Sequence, residues 1–342
     1  SNIDTTKAKL ELKGETGIHA NGADVTVNGN TGISGKVGID AANGNVTLNG
    51  STDIVGTDAA INAGEGGNVD INTNNSALNI KGDINANGGS IIVDSSKATG
   101  VIDGDVSASN GGSVEISLND AKSSLTGSYR VDDSSIVMNI ANGATWNLTD
   151  DDDDAEGMSL FRMAKAPAAT ADKGLTINGG ESKAKTGYLN MTKRTKDLNI
   201  ASYSGWETII YGHENAGDKD EDYKSGNTII NKAAKDSGVI LSTDNSGINM
   251  EDKAAVEAIL KALAHKLTYT DHEENGSNLT GKVQIADGLT ASSASKYLGN
   301  MRWDENGKGQ YVVGSIPWEP TIETGDYETF VMKGARSAVT TS

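Results

Sequence analysis

Gly17-Ile18-His19-Ala20-Asn21-Gly22-Ala23-Asp24-Val25-Thr26-Val27-Asn28 is followed one step later by Gly38-Ile39-Asp40-Ala41-Ala42-Asn43-Gly44-Asn45-Val46-Thr47-Leu48-Asn49. The pattern returns at Ile61 to Ile71, at Ile84 to Val93 and at Val106 to Ile116, so that the anchors Ile18, Ile39, Ile61, Ile84 and Val106 stand 21, 22, 23 and 22 residues apart. Each block carries a short alternating run, such as Val25-Thr26-Val27 or Val114-Glu115-Ile116, which puts apolar side chains on one face of a strand and polar ones on the other. Asn-Gly, Gly-Gly and Asp-Gly pairs between the runs suit tight corners.

One block of this size cannot bury its own Ile and Val, so each must stack on the next. The expected fold is all-β: a right-handed parallel β-helix with a less regular C-terminal capping region that contains one inserted α-helix. Leucine-rich repeats would need several Leu and a fixed Asn per repeat. Calcium-binding nonapeptide repeats would need an aligned Asp, and Asp24, Asp70 and Asp94 do not align in that way.

All 15 aromatic residues and all 7 Met lie from Tyr129 onward. A narrow lumen suits Val, Ile, Leu and Ala, so a wider or better capped core begins near Tyr129. Three segments follow from this: coils over 1–149, a capping region over 150–322, and a helical linker over 323–342. Ile136 to Ile140 and Ala144 to Leu148 flank Ala141-Asn142-Gly143 and read as two runs around a tight turn. The acidic run Asp150 to Asp154 reads as a solvated loop, since calcium ligands need spacing and a Gly-assisted bend.

Further on, Glu207 to Tyr211, Thr228 to Ile230 and Gly238 to Leu241 are short, β-branched and bounded by Gly, Asn or Asp, which predicts strands. Asn249 is the expected cap of a helix whose apolar stripe is Val256, Ile259, Leu260, Leu263 and Leu267, packed on the flank of the β-structure.

There are 29 basic and 47 acidic residues, a net charge of −18, spread over both halves of the chain. Nucleic acid and anionic membranes require basic patches and are disfavoured as partners. The absence of cysteine removes disulfides and thiolate metal sites, and suits a chain exported unfolded. No apolar stretch approaches the roughly 18 residues of a membrane span, and no signal peptide opens the chain, so a secreted form is expected to be a processed fragment.

Gly143-Ala144-Thr145-Trp146-Asn147-Leu148-Thr149, following Asn/Gly-rich coils, resembles the passenger domains of type V autotransporters, the class of self-associating and pertactin-like outer-membrane adhesins. The tail Tyr327 to Ser342 resembles the segment by which such chains enter their barrel, and Gly334, Ala335, Ser337 and Ala338 form a small-residue stripe fitted to a narrow channel. The resemblance implies a bacterial cell-surface location, type V secretion, the chain's own outer-membrane barrel as a partner, and a C-terminal folding-nucleating autochaperone segment. Trp206, Trp303 and Trp318, with Tyr211, Tyr269, Tyr297 and Tyr311, would supply its bulky core. The inserted helix and the acidic loop Asp218 to Asp222 depart from that pattern.

No catalytic, cofactor-binding or metal site is expected. His265 and His272 lack a third ligand at metal-like spacing, His213 stands in no such pattern, and His19 fills a polar repeat slot occupied elsewhere by Asp40 and Asn62. No Gly-x-Ser-x-Gly elbow and no Lys-bearing phosphate loop occurs. Two functional classes remain. The first is an adhesive or structural surface rod for adhesion, autoaggregation or biofilm, whose partners are host-cell or glycan surfaces or further copies of itself. The second is a β-helix polysaccharide lyase or hydrolase using Asp103, Asp105 and Arg130.

Overall fold

The computed structural model describes residues 1–150, 173–212, 225–244, 249, 251–275, 278–286 and 295–314. The acidic runs 151–154 and 218–222, His213, Trp318 and the tail from 315 onward lie outside these residues. The chain forms a parallel β-solenoid of about 8 turns. It divides into two compact units, Ser1–Ile140 with Ala144–Ile177, and Ala141–Gly143 with Asn178–Ser342.

In the first unit the early coils run through long strands such as Val25–Ala42 and Thr52–Ala63, and the later ones divide into three strands. One coil consists of Asn68–Asn72, Leu78–Lys81 and Ile84–Asn87, and the next of Ser90–Ser95, Gly100–Asp103 and Val106–Ser109. Every strand pairs in parallel with its counterpart one coil away, in the register that the sequence repeat dictates: Ile18 faces Ile39, Ile39 faces Ile61, Ile61 faces Ile84 and Ile84 faces Val106. A second interior column runs Val27, Leu48, Ile71, Val93, Ile116 and Met138. A third runs Ile54, Ile80, Ile102, Leu125 and Trp146. All members of the last two columns are buried. Full burial of one such aliphatic side chain is worth about 1.5–3 kcal/mol, so stacking supplies what a lone coil lacks.

Trp146 ends the third column inside, with its ring edge-to-face with Tyr129 at 5.7 Å and its Nε1 donating to the Gly127 carbonyl at 3.1 Å. The runs on either side of Ala141-Asn142-Gly143 do not form a hairpin. Ser135–Ile140 pairs in parallel with Ser113–Leu118, and Thr145–Thr149 with Ser124–Gly127, so the turn is a corner between two faces of one coil. Alternation and a tight turn are common to hairpin and corner; the presence of a matching coil selects the corner.

Within the second unit the pairing is again parallel, with longer interruptions. Glu207 to Ile210 lie beside Gly187 to Asn190, Gly238 to Thr243 beside Trp206 to Tyr211, and Leu279 to Val283 beside Ser237 to Leu241. The stack then reverses direction. Leu279–Ala286 takes Ser295–Trp303 as an antiparallel neighbour, which in turn takes Gly309–Tyr311. Antiparallel closure gives the last parallel strand a partner and so covers an otherwise open edge.

Helix α1 (Lys253–Ala264) lies against Ser237–Thr243, Leu279–Ala286 and Gly309–Tyr311, burying Val256, Ile259, Leu260 and Leu263. Its cap is Asp252, whose side chain accepts from the Ala255 N–H at 3.1 Å; the expected cap Asn249 instead accepts from the Glu251 N–H, one turn too early. Leu267 is buried but belongs to the following strand, Leu267–Tyr269, because the helix ends at Ala264. A single helical turn, His272–Asn275, comes after that strand.

Candidate functional site

In three successive coils of the first unit the corner after the Leu78–Lys81-type strand is a Gly flanked by polar residues: Lys81-Gly82-Asp83, then Asp103-Gly104-Asp105, then Thr126-Gly127-Ser128. A side chain at Gly104 or Gly127 would collide with the backbone of the preceding coil. A Cβ on Gly104 would sit 2.0 Å from the Gly82 carbonyl oxygen, and one on Gly127 equally close, 2.0 Å, to that of Gly104. The bare backbone forms the floor of a surface groove of about 440 Å³, with Val55 at one end and Thr149 at the other.

Its two walls differ in chemistry. On one, Lys81, Asp103 and Thr126 are consecutive rungs of an outward column on paired strands. On the other, Asp83 Oδ1 accepts the Asp105 N–H at 3.0 Å, and Asp105 Oδ1 accepts the Ser128 N–H at 2.8 Å. These two carboxylates fasten one coil to the next. Lys81 and Asp103 are different, since among the described residues the side chain of neither makes a hydrogen bond or ion pair.

The residues of the polysaccharide-cleaving alternative are therefore only partly brought together. Asp103 and Asp105 share the groove, but Asp105 is engaged by a main-chain amide, and Arg130 belongs to a different column as the register partner of Ser107. That column runs His19, Asp40, Asn62, Asn85, Ser107 and Arg130 along one outward face. Its rungs are linked: His19 Nδ1 lies 3.2 Å from Asp40, Asn85 Nδ2 donates to Asn62 at 3.1 Å, and Ser107 Oγ donates to Asn85 at 2.7 Å. A parallel ladder on another face links Asn49 Nδ2 to Asn28 at 2.9 Å and Asn139 Nδ2 to Ser117 at 2.9 Å. Amide and hydroxyl side chains repeating at the strand spacing are held flat by one another.

His265 closes helix α1, and His272 is mostly enclosed after the following strand. Among the described residues no group of three or more His, Cys, Asp and Glu is arranged to hold a metal ion.

Sequence reasoning passed over one titratable group. Glu207, inside the strand Trp206–Tyr211, is wholly buried in the second unit; its Oε1 accepts the Gly187 N–H at 3.0 Å and its Oε2 has no partner among the described residues. Burial pushes its carboxyl well above the usual carboxylate range, against the pull of the Gly187 and Gly180 amides. Nearby Tyr203 is also pushed up by burial and then by the Glu207 charge, and its hydroxyl donates to the Gly238 carbonyl at 2.6 Å. The only local signal was a charged residue within a run, Trp206-Glu207-Thr208-Ile209-Ile210, that does not alternate.

No family model, curated protein or solved structure matches this chain.

Proposed function

We propose that the chain is the passenger of a bacterial autotransporter, carried on the cell surface by its own outer-membrane barrel and acting as an adhesive or structural element in attachment, autoaggregation or biofilm. The observation that carries this reading is the pair of polar ladders, His19 to Arg130 and Asn28 to Asn139, in which side-chain amides, hydroxyls and carboxylates repeat coil by coil on flat parallel strands. A single hydrogen bond to such a face is worth only about 0.5–1.5 kcal/mol, but a partner with a matching repeat forms many at once. Host-cell or glycan surfaces and further copies of the chain present such repeats. The resemblance of Gly143 to Thr149 and of the tail to autotransporter passengers supplies the cellular setting. The second unit, with buried Tyr203, Tyr211 and Tyr269 and an antiparallel closure, suits the folding-nucleating role.

The test is expression of the chain with its barrel on a non-adherent bacterium, scoring cell clumping and attachment to glycan-coated and host-cell surfaces. Adhesion that disappears on deletion of residues 1–149 supports the passenger reading. A strain that neither clumps nor attaches refutes it.

The groove favours a second reading, a glycan-cleaving enzyme, because Lys81 and Asp103 stand side by side in a concave site with no structural duty. Release of reducing sugar from glycans, abolished by Asp103→Asn, would establish it. The lack of any aromatic residue before Tyr129 to stack on a sugar ring weighs against it.

A further inference from the structure

In an Asn-Gly pair the side-chain amide is unusually open to attack by the next main-chain nitrogen, because glycine places no Cβ beside the nucleophile. Ten such pairs stand in this chain, and in nine both residues are described. Most of the nucleophiles are held by main-chain bonds, across coils for Gly22, Gly50, Gly88 and Gly179 and within its own turn for Gly307. The glycines at 22, 50, 88, 179 and 307 donate their N–H to main-chain carbonyls at 2.8–3.3 Å, and Gly29 lies inside the strand Val25–Ala42.

The remaining three pairs permit a close comparison, because Asn43, Asn110 and Asn142 all have left-handed backbones, with φ of 50°, 52° and 52°. Gly111 after Asn110 donates to Ser134 Oγ at 3.0 Å, and Gly143 after Asn142 donates to the Thr186 carbonyl at 2.9 Å. Gly44 after Asn43 has no acceptor among the described residues. The reason lies in the preceding coil. There the left-handed rung is Gly22, whose own N–H bonds the Ala42 carbonyl; here it is Asn43, which spends its N–H on the Glu65 carbonyl at 3.1 Å and leaves the following glycine outside the ladder. Asn43, Asn110 and Asn142 are all exposed, so the three pairs differ in the partner of the glycine N–H and not in access to the side-chain amide.

We infer that Asn43 is a site of spontaneous modification in the folded protein, deamidating ahead of the Asn-Gly pairs whose glycine N–H is tied to a neighbouring coil. The Gly44 nitrogen gives its proton to water or hydroxide and bonds to Asn43 Cγ. The Cγ–Nδ2 bond breaks and ammonia departs, leaving a succinimide. One water then opens the ring to aspartate or isoaspartate. The change adds a negative charge at this corner, and the isoaspartyl product lengthens the main chain at the rung that Glu65 holds.

The full chain is held folded at mildly alkaline pH, sampled over time, digested and mapped by mass spectrometry, beside a sample kept unfolded in urea. In the folded protein, conversion at Asn43 is expected to run several-fold faster than at Asn110 or Asn87, and in urea the three rates are expected to converge. Equal rates at Asn43 and Asn110 in the folded protein would overturn the inference. Ser134→Ala removes the acceptor of the Gly111 N–H and is expected to raise conversion at Asn110 several-fold while leaving Asn87 unchanged. No change at Asn110 in that variant would show that the hydrogen bond is not what protects it. Asn43→Gly, which places at 43 the residue found at Gly22, is expected to fold normally and to lose the early product.

Discussion

The Gly187 N–H donates to Glu207 Oε1 at 3.0 Å in an interior where Oε2 has no partner among the described residues. A carboxyl in that setting is favoured in its protonated form, and its folded-state pKa lies well above its unfolded one because burial penalises the anion. The stabilising effect of the bound proton is complete below the unfolded value of about 4.3 and is lost as pH rises through the folded value. The second unit is therefore expected to melt at lower temperature at pH 8 than at pH 5. Glu207→Gln keeps the shape without the charge and should flatten that slope, raising Tm at pH 8 by about 2–4 °C for each kcal/mol relieved. Thermal melts at the two pH values check it, and a wild-type Tm that rises with pH would contradict it.

At the glycine corner, Asp105 and Asp103 should separate cleanly. Asp105→Ala leaves the buried Ser128 N–H without its acceptor, at a cost of about 1–3 kcal/mol. Asp103→Asn, with no bond to lose, should stay within about 0.5 kcal/mol of the parent. Urea midpoints measured at constant m-value decide between them.

Trp146→Ala is expected to cost about 3–5 kcal/mol, since it empties a fully buried site and removes both the ring contact with Tyr129 and the bond to the Gly127 carbonyl. Chemical denaturation followed by far-UV circular dichroism measures it without relying on the lost fluorophore.

Helix α1 offers a direct check on which residue caps it. Asp252→Ala should cost about 0.5–2 kcal/mol, whereas Asn249→Ala, which affects only the turn before the helix, should cost less. Equal losses would mean that the capping bond to Ala255 is not the stabilising contact.

Register in the first unit was legible because the information is repeated. Ile39 is followed 22 residues later by Ile61 in the same local context, so aligning the sequence with itself is the same operation as stacking the coils. The outward slot shared by His19, Asp40 and Asn62 could be read for the same reason, and the structure places all three in one column. The candidate cleft was half legible. Asp103 and Asp105 stood out as an Asp-Gly-Asp corner, but the sequence did not reveal that Asp105 is spent on the Ser128 amide one coil later, nor that Arg130 sits on another face.

Where the repeat lapses, local pattern ceased to decide. Leu267 continues the helical apolar spacing, yet the chain leaves the helix after Ala264 because Leu267 pairs with Thr228 instead. Asn249 and Asp252 are both good caps by residue type, and only the position of the first buried turn, set by Val256 and Ile259 against the strands, chooses Asp252. Sequence alone thus determined that this chain is a stack of parallel coils with Ile, Val and Leu inside and Asn, Asp and Thr ladders outside, because alternation and period are properties of neighbouring residues. Tertiary structure alone decided that Glu207 is sealed in against Gly187 and that Gly44 has no acceptor among the described residues, because both depend on what a residue 20 or more positions away brings to the same rung.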